Sequence, residues 1–289
     1  MSEVSWGSPD EVQGALRAEA YLADRGLATV IHLALALDKP LLLEGEAGVG
    51  KTEVAKVLAP ALGRELIRLQ CYEGIDASQA LYEWDYSRQL IAARAPEFHV
   101  DAVKDLFGVE FLVERPLLAA IKTGSDAVLL IDELDRADDE FEAFLLEVLS
   151  EFAVSIPEIG RIAAARPPAV VITSNRTREL HDALKRRCLY HWIDHPSLEL
   201  EVDIVRVRAP EVPETLAHEV ARMVGVLRRM DLAKRPGVAE TIDWANALNF
   251  LGVAEVDGEA AAGTLGVVIK DHDDEELVRS RLSEVVGEE

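Results

Sequence analysis

The segment Gly45-Glu46-Ala47-Gly48-Val49-Gly50-Lys51-Thr52 satisfies GxxxxGK[ST] at each fixed position. The apolar run Leu41-Leu42-Leu43 precedes it, and helically spaced Val54, Val57, Leu58, Ala61 and Leu62 follow it. A strand, a glycine loop and a helix in that order admit few folds. The glycines let the backbone curl so that consecutive N–H groups converge on phosphate oxygens, and the helix opening at Lys51 adds its positive end to the same point. Lys51 then brings a full charge to the β- and γ-phosphates, while the Thr52 hydroxyl is suited to Mg2+. The eight residues Gly45 to Thr52 are therefore expected to bind ATP with Mg2+.

Glu65 to Leu69 alternates as a strand, and the apolar stretches Ala127 to Ile131, Ala169 to Thr173 and Leu189 to Ile193 complete a set of five short strands. Helical spacing separates them. Glu19 to Leu37 carries Leu22, Leu27, Val30, Ile31 and Ala34 on one face and ends at Asp38-Lys39-Pro40. Lys51 to Leu62 ends at Gly63, a short helix opens at Pro116 and closes before Gly124, and Asp138 to Phe152 carries a stripe from Phe141 to Phe152. Ala153 to Ala164 is expected to form a protruding hairpin. Strands alternating with helices predict a three-layer α/β domain around a mainly parallel five-stranded sheet.

Beyond Pro196 strands become scarce, prolines fall at 196, 210 and 213, and Thr215 to Met230 and Ala239 to Leu251 are helically spaced. Three regions are expected: a flexible arm over 1–17, an α/β nucleotide-binding domain over 18–194, and a smaller helical lid domain over 195–289 with an acidic tail. Asp271 to Glu289 alone hold eight acids against two arginines.

A magnesium–triphosphate site also needs a carboxylate on the metal side and a base for the attacking water. Both are available where Ala127 to Ile131 runs into Asp132-Glu133, at the carboxyl end of a buried strand. Asp132 is assigned to Mg2+, through water, and Glu133 to water activation. Asp135 reads as local structure near the following helix. Val170 to Ser174 ends in Asn175, which could hold the water or the γ-phosphate, or simply make a turn. Arg176, Arg178, Lys185, Arg186 and Arg187 form the densest basic cluster, and an arginine from it presented to a neighbouring subunit would stabilise transition-state charge in trans.

The charge balance closes off other classes. With 53 acidic against 30 basic residues the net charge is −23, which argues against a general nucleic-acid binder and against an anionic membrane surface. No apolar run approaches the ~20 residues that span a bilayer, and no signal pattern opens the chain, so a cytoplasmic protein is expected. Cys71 and Cys188 fit a reducing compartment and make no CxxC pair; both read as buried. His191 and His195 lack a third metal ligand nearby.

With the hairpin and the turn ALKRRC, these motifs resemble an AAA+ ATPase of the MoxR type. Within that type, QCYEGID, LYEWDYSRQ and RPGVAETIDWANAL resemble the ATPases associated with maturation of aerobic carbon monoxide dehydrogenase; the resemblance covers residues 18 to 270. It implies an ATP-hydrolysing homo-oligomeric ring, usually a hexamer, with nucleotide between subunits. Asn175 then matches sensor 1 and Arg187 the trans arginine finger, with Arg186 as the neighbouring candidate. It also implies chaperone-like remodelling of a protein client such as a metalloenzyme, with a partner carrying a von Willebrand factor A domain. Tyr72, Glu73 and Gly74, and the aromatics Tyr82, Trp84 and Tyr86, would lie near a pore or partner surface, buried packing being the alternative. The chain departs from the pattern at one point: Ala233 to Glu240 places no sensor 2 arginine inside the lid helix, and Arg235 stands just before Pro236.

Two other readings compete. A P-loop small-molecule kinase would need an acceptor pocket within one subunit. A nucleotide-switched scaffold would bind ATP with little turnover.

Overall fold

The computed structural model describes residues 6–94 and 106–287, and the chain divides into two compact units. The first runs to Glu19, from Ala23 to Glu44 and from Thr52 to Trp192; the second gathers Ala20–Leu22, Gly45–Lys51 and Ile193 onward.

The strands of the first unit are β1 (Leu41–Glu44), β2 (Glu65–Gln70), β3 (Tyr82–Trp84), β4 (Leu112–Glu114), β5 (Ala127–Asp132), β6 (Ala153–Ile156), β7 (Gly160–Ala163), β8 (Ala169–Ser174) and β9 (Leu189–Trp192). Five of them form one parallel sheet in the order β2-β5-β8-β1-β9. Every residue of β1 and β5 is buried. Because successive side chains point to opposite faces, a strand buried at each position is covered on both sides, which is why these runs are apolar without alternation. The expected α/β sheet is therefore present, with its five strands where the apolar stretches and the alternating Glu65 to Leu69 placed them.

The helices of this unit are α1 (Pro9–Ala18), α2 (Arg25–Ala36), α3 (Lys51–Leu62), α4 (Ala77–Leu81), α5 (Tyr86–Ala93), α6 (Pro116–Thr123), α7 (Asp139–Glu151) and α8 (Asp182–Lys185). Ile67, Leu69, Leu129, Ile131, Val170 and Ile172 pack in one core with Leu117, Leu118 and Ile121 of α6 and Phe141, Leu145 and Val148 of α7. β6 and β7 pair antiparallel as the expected hairpin.

Two expectations at the amino end need correction. Residues 9–18 form α1 where a loose arm was expected; Met1 to Ser5 lie outside the described residues. Ser8 caps the helix by accepting from the Glu11 N–H, Pro9 sits in the first turn, and Val12 and Leu16, one turn apart, are both buried. The helix expected from Glu19 begins only at Arg25, because Ala20 is left-handed (φ 58°) and the Asp24 carboxylate accepts from the Leu27 N–H at 2.6 Å, so Leu22 lies before the helix.

The second unit holds α9 (Leu198–Arg208), α10 (Glu214–Leu227), α11 (Val238–Phe250), α12 (Gly258–Val268), α13 (His272–Ser280) and α14 (Leu282–Val286). Its core is built on Trp244, whose Nε1 donates to Thr264 Oγ1 at 2.7 Å, with Leu216, Val220, Val224, Leu248 and Leu265 around it. The acidic end of the chain is folded as far as Gly287: Val278 and Val285 are fully buried, and the buried Asp274 carboxylate accepts from the Ala233 and Lys234 N–H groups at 2.8 and 2.9 Å. Composition suggested a tail because the acids dominate it; the burial of Val278 on α13 and Val285 on α14 ties it into the core of the second unit.

Glu201 and Arg228, both nearly excluded from solvent, form a two-point pair at 2.6 and 2.7 Å. Removing one partner strands the other charge in the core. Arg228→Met is expected to lower unfolding free energy by about 3–5 kcal/mol in urea titration, and the double change with Glu201→Leu to recover much of it.

Candidate active site

In the first unit the chemistry converges on the carboxyl end of β5. Asp132 is buried there, and both its oxygens are engaged. Oδ1 accepts from Thr52 Oγ1 at 2.9 Å and from Thr173 Oγ1 at 2.6 Å; Oδ2 accepts from Arg68 Nε at 3.0 Å and Nη2 at 2.5 Å. A buried carboxylate needs such compensation. Thr52 comes from the first turn of α3, Thr173 from β8 and Arg68 from β2, so three neighbouring elements meet at one side chain.

Glu133 follows at the first residue past the strand, in a left-handed conformation (φ 55°), with its N–H donating to Thr173 Oγ1 at 2.9 Å. For a non-glycine residue that backbone is uncommon and costly, and it turns Glu133 out of the β5 direction. Its Oε2 accepts from Gln70 Nε2 at 3.1 Å and from Arg136 Nη1 at 3.2 Å. Gln70 Oε1 in turn accepts from Arg68 Nη2, so one strand, β2, holds both acids.

Asn175 leaves the adjacent strand β8, half-buried, with its N–H on Asp135 Oδ1 at 3.1 Å. Asp135 also accepts from the Thr177 N–H and hydroxyl at 2.9 and 2.7 Å. Its role is local structure, and the structure it holds is the loop that carries Asn175.

The basic cluster sorts by partner. Arg178 is paired with fully buried Glu142 and donates to the Ala137 carbonyl at 2.8 Å; Lys185 faces Glu179; Arg176 lies over the Trp192 ring at 5.7 Å, beside buried Glu44. Glu44 also accepts from Ser174 Oγ and from the Tyr190 phenol, whose pKa is raised by burial and then by the Glu44 charge. Arg186 and Arg187 remain exposed after α8; Arg187 Nη1 rests on the Leu146 carbonyl and Ser150 Oγ of α7. Neither belongs to the Asp132 cluster.

In the second unit, the loop Gly45 to Lys51 is held by its own groups and by residues beyond Ile193. Lys51 Nζ donates to the Gly45 and Glu46 carbonyls at 2.9 and 2.6 Å. Ala47 and exposed Glu46 form the outer turn, Val49 is buried, and Gly48 and Gly50 are left-handed, φ 81° and 94°. Glu46 bridges Arg235 Nη1 and His195 Nε2, each at 3.3 Å. Burial and then the Arg228 charge hold His195 below its ordinary pKa, which keeps the ring neutral near pH 7.

Of the aromatics near QCYEGID, Trp84 is buried against Tyr82 and Phe107 on the β3–β4 pair, while Tyr86 is exposed. Among the described residues, no group of three or more His, Cys, Asp or Glu is arranged to hold a metal by itself, and no helix is long and apolar enough to cross a membrane. Sequence reasoning missed Arg68, Gln70, Thr173 and Glu44. The alternation Ile67-Arg68-Leu69-Gln70 was the available signal; that β2 lies beside β5 was not.

Residues 40–188 match the AAA domain of the dynein-related subfamily. Over 209 residues the chain is 29% identical to the gas vesicle ATPase GvpN2 of Halobacterium salinarum, covering 68% of this chain and 58% of that one. Over 199 residues it is 25% identical to the protein NorQ of Paracoccus denitrificans, covering 66% of each. It thus spans between about three fifths and two thirds of these relatives. A mutant RuvB of Thermotoga maritima superposes at a TM-score of 0.50 over 94% of this chain and 75% of that one, at 16% identity, a likeness of fold alone.

Burial pushes the Cys188 thiol up to about 12, and burial with Asp132, Asp135 and Glu133 nearby does the same for Cys71. At pH 8 a thiol-reactive chromophore is expected to label neither cysteine in the native protein and both after unfolding. Rapid labelling of the native protein would show a reactive thiol instead.

Proposed function

Because the chain belongs to the dynein-related subfamily of AAA domains, we propose that it is a MoxR-type ATPase that hydrolyses ATP to ADP and phosphate in order to remodel a protein client. The observation that carries the reading is the contact of Thr52 Oγ1 with Asp132 Oδ1 at 2.9 Å, with Glu133 next in the chain. It couples the end of the GxxxxGK[ST] motif to an acidic strand end that spacing alone could only nominate. The name of the gas vesicle relative, an ATPase, supports the same activity.

The loop Gly45 to Lys51 is assigned to the phosphates, with Lys51 giving its charge to the β- and γ-positions. A hydroxyl beside a carboxylate is a hard oxygen donor set that fits Mg2+, and Thr52 and Asp132 would hold it. Asp132 already accepts on both oxygens, which favours its acting through water. When bound, the metal neutralises charge on the β- and γ-phosphates. Glu133 accepts the proton of the attacking water, and Gln70 and Arg136 orient its carboxylate. Asn175 positions that water or the γ-phosphate. Arg187, or Arg186 beside it, is assigned to the γ-phosphate of a neighbouring subunit, and its exposure after α8 supports this.

The reading extends to a homo-oligomeric ring, usually a hexamer, to a von Willebrand factor A domain partner, and to cytoplasmic metalloenzyme maturation of the carbon monoxide dehydrogenase kind. Tyr86, Leu90 and Ile91, exposed together on α5, supply an apolar face that supports a protein client.

Glu133→Gln is expected to retain ATP binding and lose about 10²–10⁴-fold in turnover. Wild-type turnover in that variant would remove Glu133 as the base. Arg187→Ala is expected to bind ATP but lose about 10³–10⁵-fold in turnover. Mixing it with Lys51→Ala, which should fail to bind, is expected to recover part of the activity; no recovery at any ratio would argue against shared sites. The client is sought by pulling the Glu133→Gln protein with ATP from native lysate.

A further inference from the structure

The phosphate loop and the start of α11 meet backbone to backbone. A Cβ added at Gly237 would lie 2.5 Å from the Gly48 Cα and 2.7 Å from its carbonyl oxygen, and one added at Gly48 would lie 2.7 Å from the Gly237 Cα. No real Cβ tolerates such distances to backbone. The Val238 N–H donates to the Gly48 carbonyl at 2.9 Å.

The two glycines are required for different reasons. Gly48 is left-handed, so its own backbone calls for glycine. Gly237 is extended, φ −86° and ψ −173°, a conformation open to any residue. Only the approach of Gly48 demands glycine at 237.

The turn is fixed from behind. Arg228 Nε donates to the Pro236 carbonyl at 2.8 Å, and the same guanidinium is locked on buried Glu201. Thr241, in the first turn of α11, donates to Glu201 Oε1 at 2.6 Å and lies 3.1 Å from the Gly237 carbonyl. In front, the Glu46 carboxylate takes Arg235, one residue before Pro236.

We propose that Gly237 is a positioning residue for the phosphate loop: the two-glycine contact and the Val238–Gly48 hydrogen bond set the loop's affinity for the nucleotide's phosphates, the work for which no arginine is present inside α11. The proposal rests on the loop's binding ATP, as argued above.

The test titrates a fluorescent ATP analogue into the full chain. Gly237→Ala adds one methyl where only Gly48 forbids it. Val238→Pro suits the helix start and the extended residue before it, but it deletes the N–H that Gly48 accepts from and sets a ring carbon against that carbonyl, so it breaks the contact from the helix side. Gly266→Ala on α12, where a Cβ meets nothing within 4 Å, is the matched control in the same unit. Both loop variants are expected to bind about tenfold or more weakly, with KM for ATP raised and kcat at saturation little changed; the control should bind as wild type. If Gly237→Ala does not fold, Val238→Pro alone decides. Unchanged affinity in the folded variants overturns the proposal and leaves ATP binding standing. No binding by the wild type overturns the nucleotide reading itself.

Discussion

The carboxylate of Asp132 sits buried at the end of a strand that is itself buried on both faces, and a charge so placed has to be answered by its neighbours. Arg68, Thr52 and Thr173 answer it. That requirement brings together the polar ends of β2, β8 and α3, and Glu133, Gln70 and the Asp135-clamped loop carrying Asn175 are arranged around the result. The strand order β2-β5-β8 is the arrangement that puts Arg68 on one side of Asp132 and Thr173 on the other.

Charge elsewhere in the molecule follows the same logic. A cluster that looks uniform in sequence, Arg176 to Arg187, separates by partner: Arg176 and Arg178 lie against the buried carboxylates of Glu44 and Glu142, Lys185 faces exposed Glu179, and Arg187 rests on α7. Arg178 is spent on Glu142, which is fully buried, so its charge is structural. The acidic end of the chain divides likewise: Asp274 accepts two backbone N–H groups within the second unit, while many of its neighbours face solvent. A net charge of −23 is thus a sum over residues with unlike duties.

Legibility in the sequence tracked the range of the interactions involved. Five strands, the hairpin at Ala153 to Ala163 and helices α3, α6, α7, α10 and α11 could be read because period and breakers are local. The start of α2 was misplaced because an apolar stripe runs through Leu22, whereas the Asp24 cap and the left-handed Ala20 decide where the helix begins. The three-residue strands β3 and β4 are too short to show a period, and they form because each has the other to pair with.

By itself the sequence determined the phosphate-loop motif, the acidic strand end, the alternation of strands and helices, and the identity of the residues proposed for chemistry, since each lies within one short stretch of chain. Only the tertiary structure decided which acids are held and by what: Arg68 and Gln70 reach Asp132 and Glu133 across more than sixty residues of sequence. It likewise decided that Gly237 meets Gly48. Such pairings depend on which strands become neighbours and how closely two backbones approach, and both follow from packing of the whole chain and leave no period or spacing in its sequence.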